Sequence, residues 1–350
     1  MRTRVLRVGR LSTRVNPRAT TICSVLLLLT FIVFCINISV GDYFIPLKDV
    51  VSYLFRHGNK SSRLIVGEFR LPRSLTGLLV GAALGLSGAV FQSLARNPLA
   101  SPDVIGVTSG ASLFAVAVIV LGGSGDIIGG VASSNVPIAA LTGGLVTALA
   151  VYLLAYRRGL VGYRLVLVGI GVSSMMSSLI SYLLTRATLY EASRATVWLT
   201  GSLANRGWEH VKPVSIGLAV LVPITLAQAR QLRALQLGDD AARALGTRIE
   251  PARLVLIVCA VGLAAMATAS AGPVAFVAFV SPVLARRLVR NGSAALFTSM
   301  CTGALLLLTS DLIARRLLPA ELPVGIITSI IGAPYLLWLL WRANSIGSGG

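Results

Sequence analysis

The chain has 350 residues, of which 55% are hydrophobic and 12% are charged, and its mean hydropathy is +0.83. This composition excludes a soluble domain, because a chain of this length could not bury so much apolar surface, and it predicts a polytopic membrane protein. The net charge of +19 is spread between the apolar stretches and not gathered on one folded basic face, which argues against a nucleic-acid-binding protein.

Apolar stretches long enough to cross a bilayer as helices, about 20 residues each, recur along the chain. They predict an all-α fold with about ten transmembrane helices. A basic tail at residues 1–19 precedes this membrane domain, which covers 20–342, and a short tail at 343–350 follows it. The predicted spans are residues 20–40, 74–94, 104–122, 135–156, 165–186, 213–229, 252–270, 273–285, 294–312 and 324–341.

The positive charges between the spans predict the orientation of the chain. If the N-terminus is inside, most of the 31 Lys and Arg residues lie on the cytoplasmic side, as the positive-inside bias requires. We therefore expect a multi-pass protein of the plasma membrane with both termini in the cytoplasm.

The four cysteines fall within predicted spans and show no Cys-x-x-Cys spacing. We interpret them as small apolar packing residues, and we predict neither a metal site nor a disulfide from them. They are Cys23, Cys35, Cys259 and Cys301.

A proline-rich turn joins the second and third predicted spans. Residues 96–103 read Arg-Asn-Pro-Leu-Ala-Ser-Pro-Asp, and neither proline could lie within a helix without removing a backbone hydrogen bond. Ser101, Pro102 and Asp103 are predicted to be the N-cap and the first two residues of the third span. The two spans are therefore expected to form a tight hairpin at one face of the membrane.

The motifs around this turn resemble a known family. They are Arg-Leu-Pro-Arg at 70–73, the small-residue run at 81–89 with Gln92, the turn at 96–103 and Gly110-Ala111. Together they resemble the FecCD-type permease subunits of ABC importers for ferric siderophores, haem and cobalamin. Further matches lie at residues 198–203, 271–287 and 322–328, and residues 96–104, 169–172 and 238–240 look most like a ferric enterobactin permease.

The resemblance implies the type II ABC importer permease fold and the movement of a ferric siderophore, or a related metal chelate, into the cytoplasm. It implies as partners a second, similar but non-identical permease, two ATPase subunits and an extracytoplasmic substrate-binding protein, all at or in the lipid membrane. No Gly-x-x-x-x-Gly-Lys-Ser/Thr loop occurs in the chain. ATP and Mg are therefore expected on the ATPase subunits, and this chain is not expected to be an enzyme.

The resemblance also assigns a docking role on the outer face. Arg70 and Arg73 lie three residues apart around a proline and can both point outward, and in the family such arginines bind glutamates of the substrate-binding protein. Arg315 is a weaker third candidate. Snorkelling of the side chains to the membrane interface is the alternative explanation.

Two inner loops match the cytoplasmic gate of cobalamin-type relatives. Asn97 and Leu99 belong to one loop, although an asparagine that stabilises the turn is an equally good explanation. Val161, Gly162 and Tyr163 belong to the other, where the relatives have small hydroxyl residues. The serines and methionines of residues 173–178 either face a bulky cargo or bond back to the preceding helical turn.

The loop between the sixth and seventh spans is the most informative polar segment. Residues 231–237 have a helical pattern, and Gly238 breaks it. A second short helix, capped by Asp239 and Asp240, is expected at residues 241–245, with Gly246 as the C′ residue that ends it. A solvated loop would not need its leucines, so we predict that the segment contacts a partner. The resemblance identifies it as the coupling helices that insert into the ATPase, through Leu235, Gly238, Asp239, Asp240, Ala241, Leu245 and Gly246.

Two other functional classes were weighed against the importer. An ion-coupled secondary transporter would use ionisable groups at the membrane midplane, and only Asp311 comes near, where pairing with a neighbouring arginine is at least as good an explanation. An intramembrane serine protease would use Ser87 in Gly-Leu-Ser-Gly with a histidine base. The two histidines, His57 and His210, are predicted in outer loops.

Overall fold

The computed structural model of the protein describes residues 4–8, 11–15, 17–41, 46, 64–122, 131–156, 162–290, 295–316 and 321–347. Within these residues the chain forms a short antiparallel hairpin followed by thirteen α-helices. The hairpin consists of β1 (Arg4–Val8) and β2 (Leu11–Val15), and it lies in the segment predicted as a basic tail. The membrane domain is helical, which confirms the predicted fold class.

The helices have the following bounds, with a π-helical turn at Ile65–Arg70 that leads directly into α2. They are α1 (Pro17–Ser39), α2 (Leu71–Leu94), α3 (Val107–Leu121), α4 (Val131–Ala155), α5 (Gly162–Arg186), α6 (Leu189–Leu199), α7 (Trp208–Ala227), α8 (Ala229–Gln236), α9 (Asp239–Ala244), α10 (Ile249–Ala271), α11 (Val277–Val289), α12 (Leu296–Arg316) and α13 (Val324–Gly347).

Each of the ten predicted spans coincides with one helix, namely α1 to α5, α7 and α10 to α13. In the described part of the chain, eight helices are long and apolar enough to cross a bilayer. The other two are shorter, since α3 has 15 residues and α11 has 13. Helix α13 continues to Gly347, past residue 342, where the predicted membrane domain ends.

Helix α2 forms the centre of the bundle, where α7, α10, α11 and α12 pack against it. Two of its glycines allow this contact: a Cβ on Gly85 would collide with the backbone oxygen of Ser299 on α12, and one on Gly88 with that of Ala278 on α11. Close backbone approach through small residues stabilises helix pairs where lipid provides no hydrophobic driving force.

Two features of the surrounding helices differ from the sequence-based expectation: the packing of α3 and the presence of α6. Helix α3 packs against α4 and α5, so the expected hairpin of the second and third spans is wrong in its packing. Helix α6 was not predicted, although Thr188 and Glu191 form a capping box at its start, a pattern that can be read from sequence. Few residues of helix α5 are fully buried, and one side of the helix is exposed.

Candidate functional sites at the two ends of the bundle

Helix α2 separates two clusters of charged side chains. Arg73 lies in its first turn and Arg96 lies two residues beyond its end. A helix of 24 residues is about 36 Å long at 1.5 Å per residue, so the two arginines mark opposite ends of the bundle. We call these the Arg73 end and the Arg96 end.

At the Arg73 end, a buried carboxylate binds two arginines. Asp311 is 1% exposed, and its oxygens lie 2.9 Å from Nη2 of Arg73 and 2.9 Å from Nη2 of Arg315. Arg73 also pairs with Glu321 at 3.1 Å, and the Glu321 side chain is 47% exposed. The expected pairing of Asp311 with a neighbouring arginine is confirmed, and loss of the carboxylate charge would leave both arginines without this partner. We call these four residues the Asp311 cluster.

Arg70 and Arg315 bind backbone oxygens at the end of α1. Arg70 is buried, and its Nη1 donates to the carbonyl oxygens of Ile38 and Ser39 at 2.9 Å each. Arg315 donates to the carbonyl oxygens of Asn37 and Val40. The last four carbonyls of a helix lack intrahelical donors, and the two guanidinium groups supply them. Arg70 and Arg315 are therefore bonded to the end of α1, although both also line a cleft that is open to solvent.

A cleft of about 570 Å³ opens beside the Asp311 cluster. Its walls include Glu68, Arg73, Arg206 and Glu321. Burial lowers the pKa of Arg206 to about 10, and the negative charge of Glu209 opposes this shift. The cleft therefore carries charges of both signs at a surface accessible to solvent.

Ser87 and His210 do not form a catalytic pair. Ser87 is fully buried, and its Oγ donates to the carbonyl oxygen of Ala260 on α10 at 2.6 Å. His210, in the first turn of α7 and not in a loop as predicted, contacts Arg206 and Glu209 instead. His57 lies outside the described residues. Ser87 is thus a packing residue that joins two helices.

At the Arg96 end, the turn after α2 is stabilised by its own side chains. The Oδ1 of Asn97 accepts a hydrogen bond from the backbone N–H of Leu99 at 2.9 Å, which confirms the turn-stabilising explanation for Asn97. Both side chains are exposed. In the other predicted gate loop, Val161 lies outside the described residues, while Gly162 and Tyr163 begin α5.

The predicted start of the third span is wrong. Ser101, Pro102 and Asp103 begin a run of tight turns, with bonds from the N–H groups three residues later. The helix begins only at Val107, because its N-cap is Gly106 in the left-handed region at φ 85°. The Asp103 carboxylate accepts a hydrogen bond from Oγ1 of Thr108. Burial raises the pKa of Asp103, and this hydrogen bond opposes the rise without cancelling it.

The predicted pair of short helices is confirmed as local structure in α8 and α9. Gly238 between them has φ 115°, and Gly246 after them has φ 76°, a region that residues with a Cβ rarely adopt. Ala241 is half-buried and Asp240 is fully exposed. The two glycines therefore shape a compact elbow at the Arg96 end.

The leucines of this elbow divide into two groups. Leu235 is 2% exposed and packs in the core, whereas Leu237 is 69% exposed and Leu245 is 65% exposed. The expectation that Leu235 faces a partner is wrong, because the α8 face that carries it packs against α2 and α10. A cleft of about 580 Å³ lies beside Leu245. Leu237 and Leu245 thus remain as an exposed apolar pair.

Asp239 connects the elbow to its surroundings. Its carboxylate lies 2.8 Å from Nη2 of Arg96 and 3.1 Å from Nη2 of Arg253. Burial, the largest single influence, raises the pKa of Asp239, but the hydrogen bonds and charges of Arg253 and Arg96 outweigh it and leave the pKa below its ordinary value. We call these three residues the Asp239 cluster.

Three serine hydroxyls of α5 bond back to the helix, whereas the buried Oγ of Ser173 has no hydrogen-bond partner among the described residues. Ser174, Ser178 and Ser181 each donate to the carbonyl oxygen four residues earlier, at 3.0 to 3.1 Å. The back-bonding explanation is therefore confirmed for these serines, whose side chains lie on an exposed helix. Among the described residues, no group of three or more His, Cys, Asp or Glu side chains is arranged to hold a metal ion.

Comparison with known proteins agrees with this architecture. The chain is 41% identical over 301 residues to the ferric enterobactin transport system permease protein FepG of Escherichia coli (strain K12), covering 86% of this chain and 89% of that one. It is 36% identical to the iron(3+)-hydroxamate import system permease protein FhuG of Bacillus subtilis (strain 168), covering 92% and 97%. A solved inward-facing metal-chelate type ABC transporter matches with a TM-score of 0.82 and 30% identity, covering 92% and 99%.

The family model of the FecCD transport family matches residues 28–342. This range includes both charged clusters, the turn after α2 and the pair α8 and α9. The resemblance found in the motifs is therefore confirmed over most of the chain. The protein is a transport permease and not an enzyme, and it belongs to the FecCD transport family.

Proposed function

We propose that this chain is the membrane-spanning subunit of an ABC importer that carries a ferric siderophore, or a related iron chelate, into the cytoplasm. The observation that carries the proposal is the similarity of nearly the whole chain to iron-chelate permeases such as FepG and FhuG. The pairing of Asp311 with two arginines further disfavours an ion-coupled transporter, which would need an exchangeable site.

The Arg96 end faces the cytoplasm and the Arg73 end faces outward, in the plasma membrane of the cell. This orientation follows the excess of Lys and Arg on the Arg96 side of the predicted topology, and it places both termini in the cytoplasm. The chain then consists of a cytoplasmic tail at residues 1–19, the permease domain at 20–342 and a second cytoplasmic tail at 343–350.

Two separate ATPase subunits, which carry ATP and Mg, bind at the Arg96 end. Leu237 and Leu245 directly follow the two short helices and are exposed, and exposed apolar side chains on a helical elbow are suited to a groove in a partner. Gly238, Asp240, Ala241 and Gly246 shape this surface. Asp239 supports it from the side, and Leu235 anchors it to the core.

A second permease, similar but non-identical, covers the exposed face of α5 and forms the transport pathway with it. The exposed side of this apolar helix needs lipid or a protein partner. Asn97 and Leu99, together with residues 161–163, narrow the pathway at its cytoplasmic mouth. The exposed position of Asn97 and Leu99 on a rigid turn supports this role.

A soluble substrate-binding protein docks at the Arg73 end. Of the three arginines first assigned to docking, Arg73 is retained, because its partner Glu321 is half exposed and a carboxylate of the binding protein can take its place. Arg70 and Arg315 instead hold α1 to the bundle. Docking through exposed charges would be sensitive to salt.

Uptake of single iron chelates tests the proposed substrate. Cells in which the chain's gene is deleted, and cells complemented with it, are given radioactive iron as a catecholate, hydroxamate or citrate chelate. We expect the complemented cells alone to accumulate the catecholate chelate, and Gly238→Pro to abolish this uptake without loss of the permease from the membrane. Equal uptake of every chelate with and without the gene would overturn the proposal.

A further inference from the structure

Arg96 connects the turn at residues 97–102 with the helices α8 and α9, the two segments that move in the proposed function. We propose that Arg96 is a positioning residue that makes the turn at residues 97–102 follow the movement of α8 and α9. The proposal rests on the gate role of the turn and the coupling role of the helix pair, and it identifies the side chain that connects them.

The guanidinium of Arg96 holds the elbow on both sides of its bend. Its Nε donates to the carbonyl oxygen of Leu235 at 3.0 Å, and its Nη2 donates to Oδ1 of Asp239 at 2.8 Å. Leu235 lies in α8 and Asp239 begins α9, so the two acceptors flank Gly238. Because the planar fork of an arginine fixes both bonds in one orientation, a displacement of the elbow is transmitted to the backbone of Arg96.

The backbone conformation of Arg96 favours glycine, which indicates that the arginine side chain is needed at this position. Arg96 has φ 50°, and its N–H bonds to Ser93 while that of Asn97 bonds to Gln92, which is the Schellman arrangement that ends a helix. Glycine is the usual residue at this position, and Gly246 occupies it at the end of α9 with the same two bonds. A residue with a Cβ is strained there.

Stability does not explain the arginine either. In the pair formed with Asp239, the Arg96 side chain is 44% exposed and the carboxylate is 41% exposed. Exposed ion pairs contribute little to folding, since solvent screens them and two side chains must be ordered. Arg253, by contrast, is 12% exposed and binds the same carboxylate from α10. Arg96 therefore connects the turn to the elbow, whereas Arg253 holds Asp239 of the elbow against α10.

The rest of the turn can pass this movement on. Two prolines, Pro98 and Pro102, limit its backbone freedom, and the Asn97 side chain closes it onto Leu99. A stiff turn that is held to the elbow by the two guanidinium bonds of Arg96 moves with the elbow. Without Arg96, the elbow can still bind its partner, but the turn is no longer bound to it by this side chain.

The experiment uses the complete transporter in lipid nanodiscs, with the four native cysteines replaced. Leu99→Cys reports the exposure of the turn through its rate of reaction with a charged thiol reagent, measured at rest and in a vanadate-trapped ATP state. We compare Arg96→Gln, Arg96→Gly and the matched control Arg253→Gln, which removes the other partner of Asp239. Arg96→Gly also relieves the backbone strain, so a loss in this variant cannot be attributed to misfolding of the turn.

We expect the labelling rate to change several-fold between the two states in the parent and in Arg253→Gln. In both Arg96 variants the rates at rest and in the trapped state should be nearly equal, while ATP hydrolysis is still stimulated by substrate delivery. A state-dependent change of the parental size in both Arg96 variants would overturn the proposal.

A second measurement separates this proposal from the gate role. Spin labels at Leu99→Cys and Ala244→Cys report the distance from the turn to the exposed end of α9. We expect a narrow distribution in the parent that broadens in Arg96→Gly and not in Arg253→Gln, whereas equal widths in all three would overturn the connection. If the labelling rate of the parent were the same at rest and in the trapped ATP state, the gate role would be refuted. The widths of the spin-label distance distributions would still decide the role of Arg96.

Discussion

The Arg73 end and the Arg96 end contain the same arrangement, a carboxylate between two arginines, in opposite surroundings. Asp311 is 1% exposed and its arginines, Arg73 and Arg315, are 13% and 7% exposed. Asp239 is 41% exposed and Arg96 is 44% exposed. A buried charge must keep its partner, because an unpaired ion in a low-dielectric interior is very unfavourable. An exposed one can exchange its partner for water at little cost.

This difference in burial suggests a division of tasks. At the Arg73 end, Arg315 of the cluster and the nearby Arg70 also bind backbone oxygens at the end of α1, so these residues fix α1, α2 and α12 to one another. At the Arg96 end, the exposed pair joins a short turn to two short helices through a contact that solvent screens. We infer that the first end is a clamp and that the second is a moving joint.

The largest expected effect comes from removing the buried carboxylate. Asp311→Asn leaves Arg73 and Arg315 without their shared charge, and breaking a buried pair in this way costs about 3–5 kcal/mol. Asp239→Asn is the matched change at the exposed end, where we expect about 0–1 kcal/mol. Thermal unfolding of the purified transporter in detergent should therefore separate the two variants clearly, and equal losses of stability would remove the distinction between clamp and joint.

A smaller effect is expected from the elbow itself. Gly238→Ala places a Cβ at φ 115°, which costs about 1–3 kcal/mol in a conformation that is nearly restricted to glycine. The space around Gly238 is open, so the backbone conformation alone is tested. Val220→Ala, an exposed change in α7, is the control.

We expect Gly238→Ala to reduce chelate import and substrate-stimulated ATP hydrolysis together, with the permease still present in the membrane. Membrane levels and thermal stability of Val220→Ala should match those of the parent. Normal stimulation of ATP hydrolysis in Gly238→Ala would mean that the elbow is an ordinary loop.

The smallest expected effect concerns docking at the Arg73 end. Glu321→Gln removes the exposed competitor for Arg73, so the affinity for the soluble binding protein should rise slightly, by about 0.2–1 kcal/mol. Association should weaken when salt is raised to about 0.5 M, where charges are screened within a few ångströms. Arg233→Glu, an exposed change in α8, is the control and should leave the affinity unchanged. If the affinity for the binding protein changed neither with salt nor in Glu321→Gln, docking through Arg73 would be contradicted.

The sequence predicted those features that depend on local patterns. The ten spans follow from the length of apolar stretches, and the elbow of α8 and α9 follows from Gly238, Gly246 and the two aspartates between helical patterns. The direction of Arg70 was not predictable, because its acceptors, Ile38 and Ser39, lie about 30 residues earlier in the chain.

The same limit applies to leucines and to helix starts. Leu235 and Leu237 are two residues apart in one short segment, and only the packing of α8 against the bundle decides that the first is buried and the second exposed. Ser101 and Asp103 had the residue types of a helix start, but Gly106 displaced the helix to Val107. Competing local signals of this kind are settled by tertiary contacts.

Site-specific photo-crosslinking in the assembled transporter tests the two-ended account most directly. A photoreactive amino acid is placed at position 245, where Leu245 is 65% exposed, or at position 321, where the Glu321 side chain is 47% exposed. The account predicts that position 245 captures an ATPase subunit and that position 321 captures the soluble binding protein. Capture of the ATPase at position 321, or its absence at position 245 in an active complex, would contradict the account.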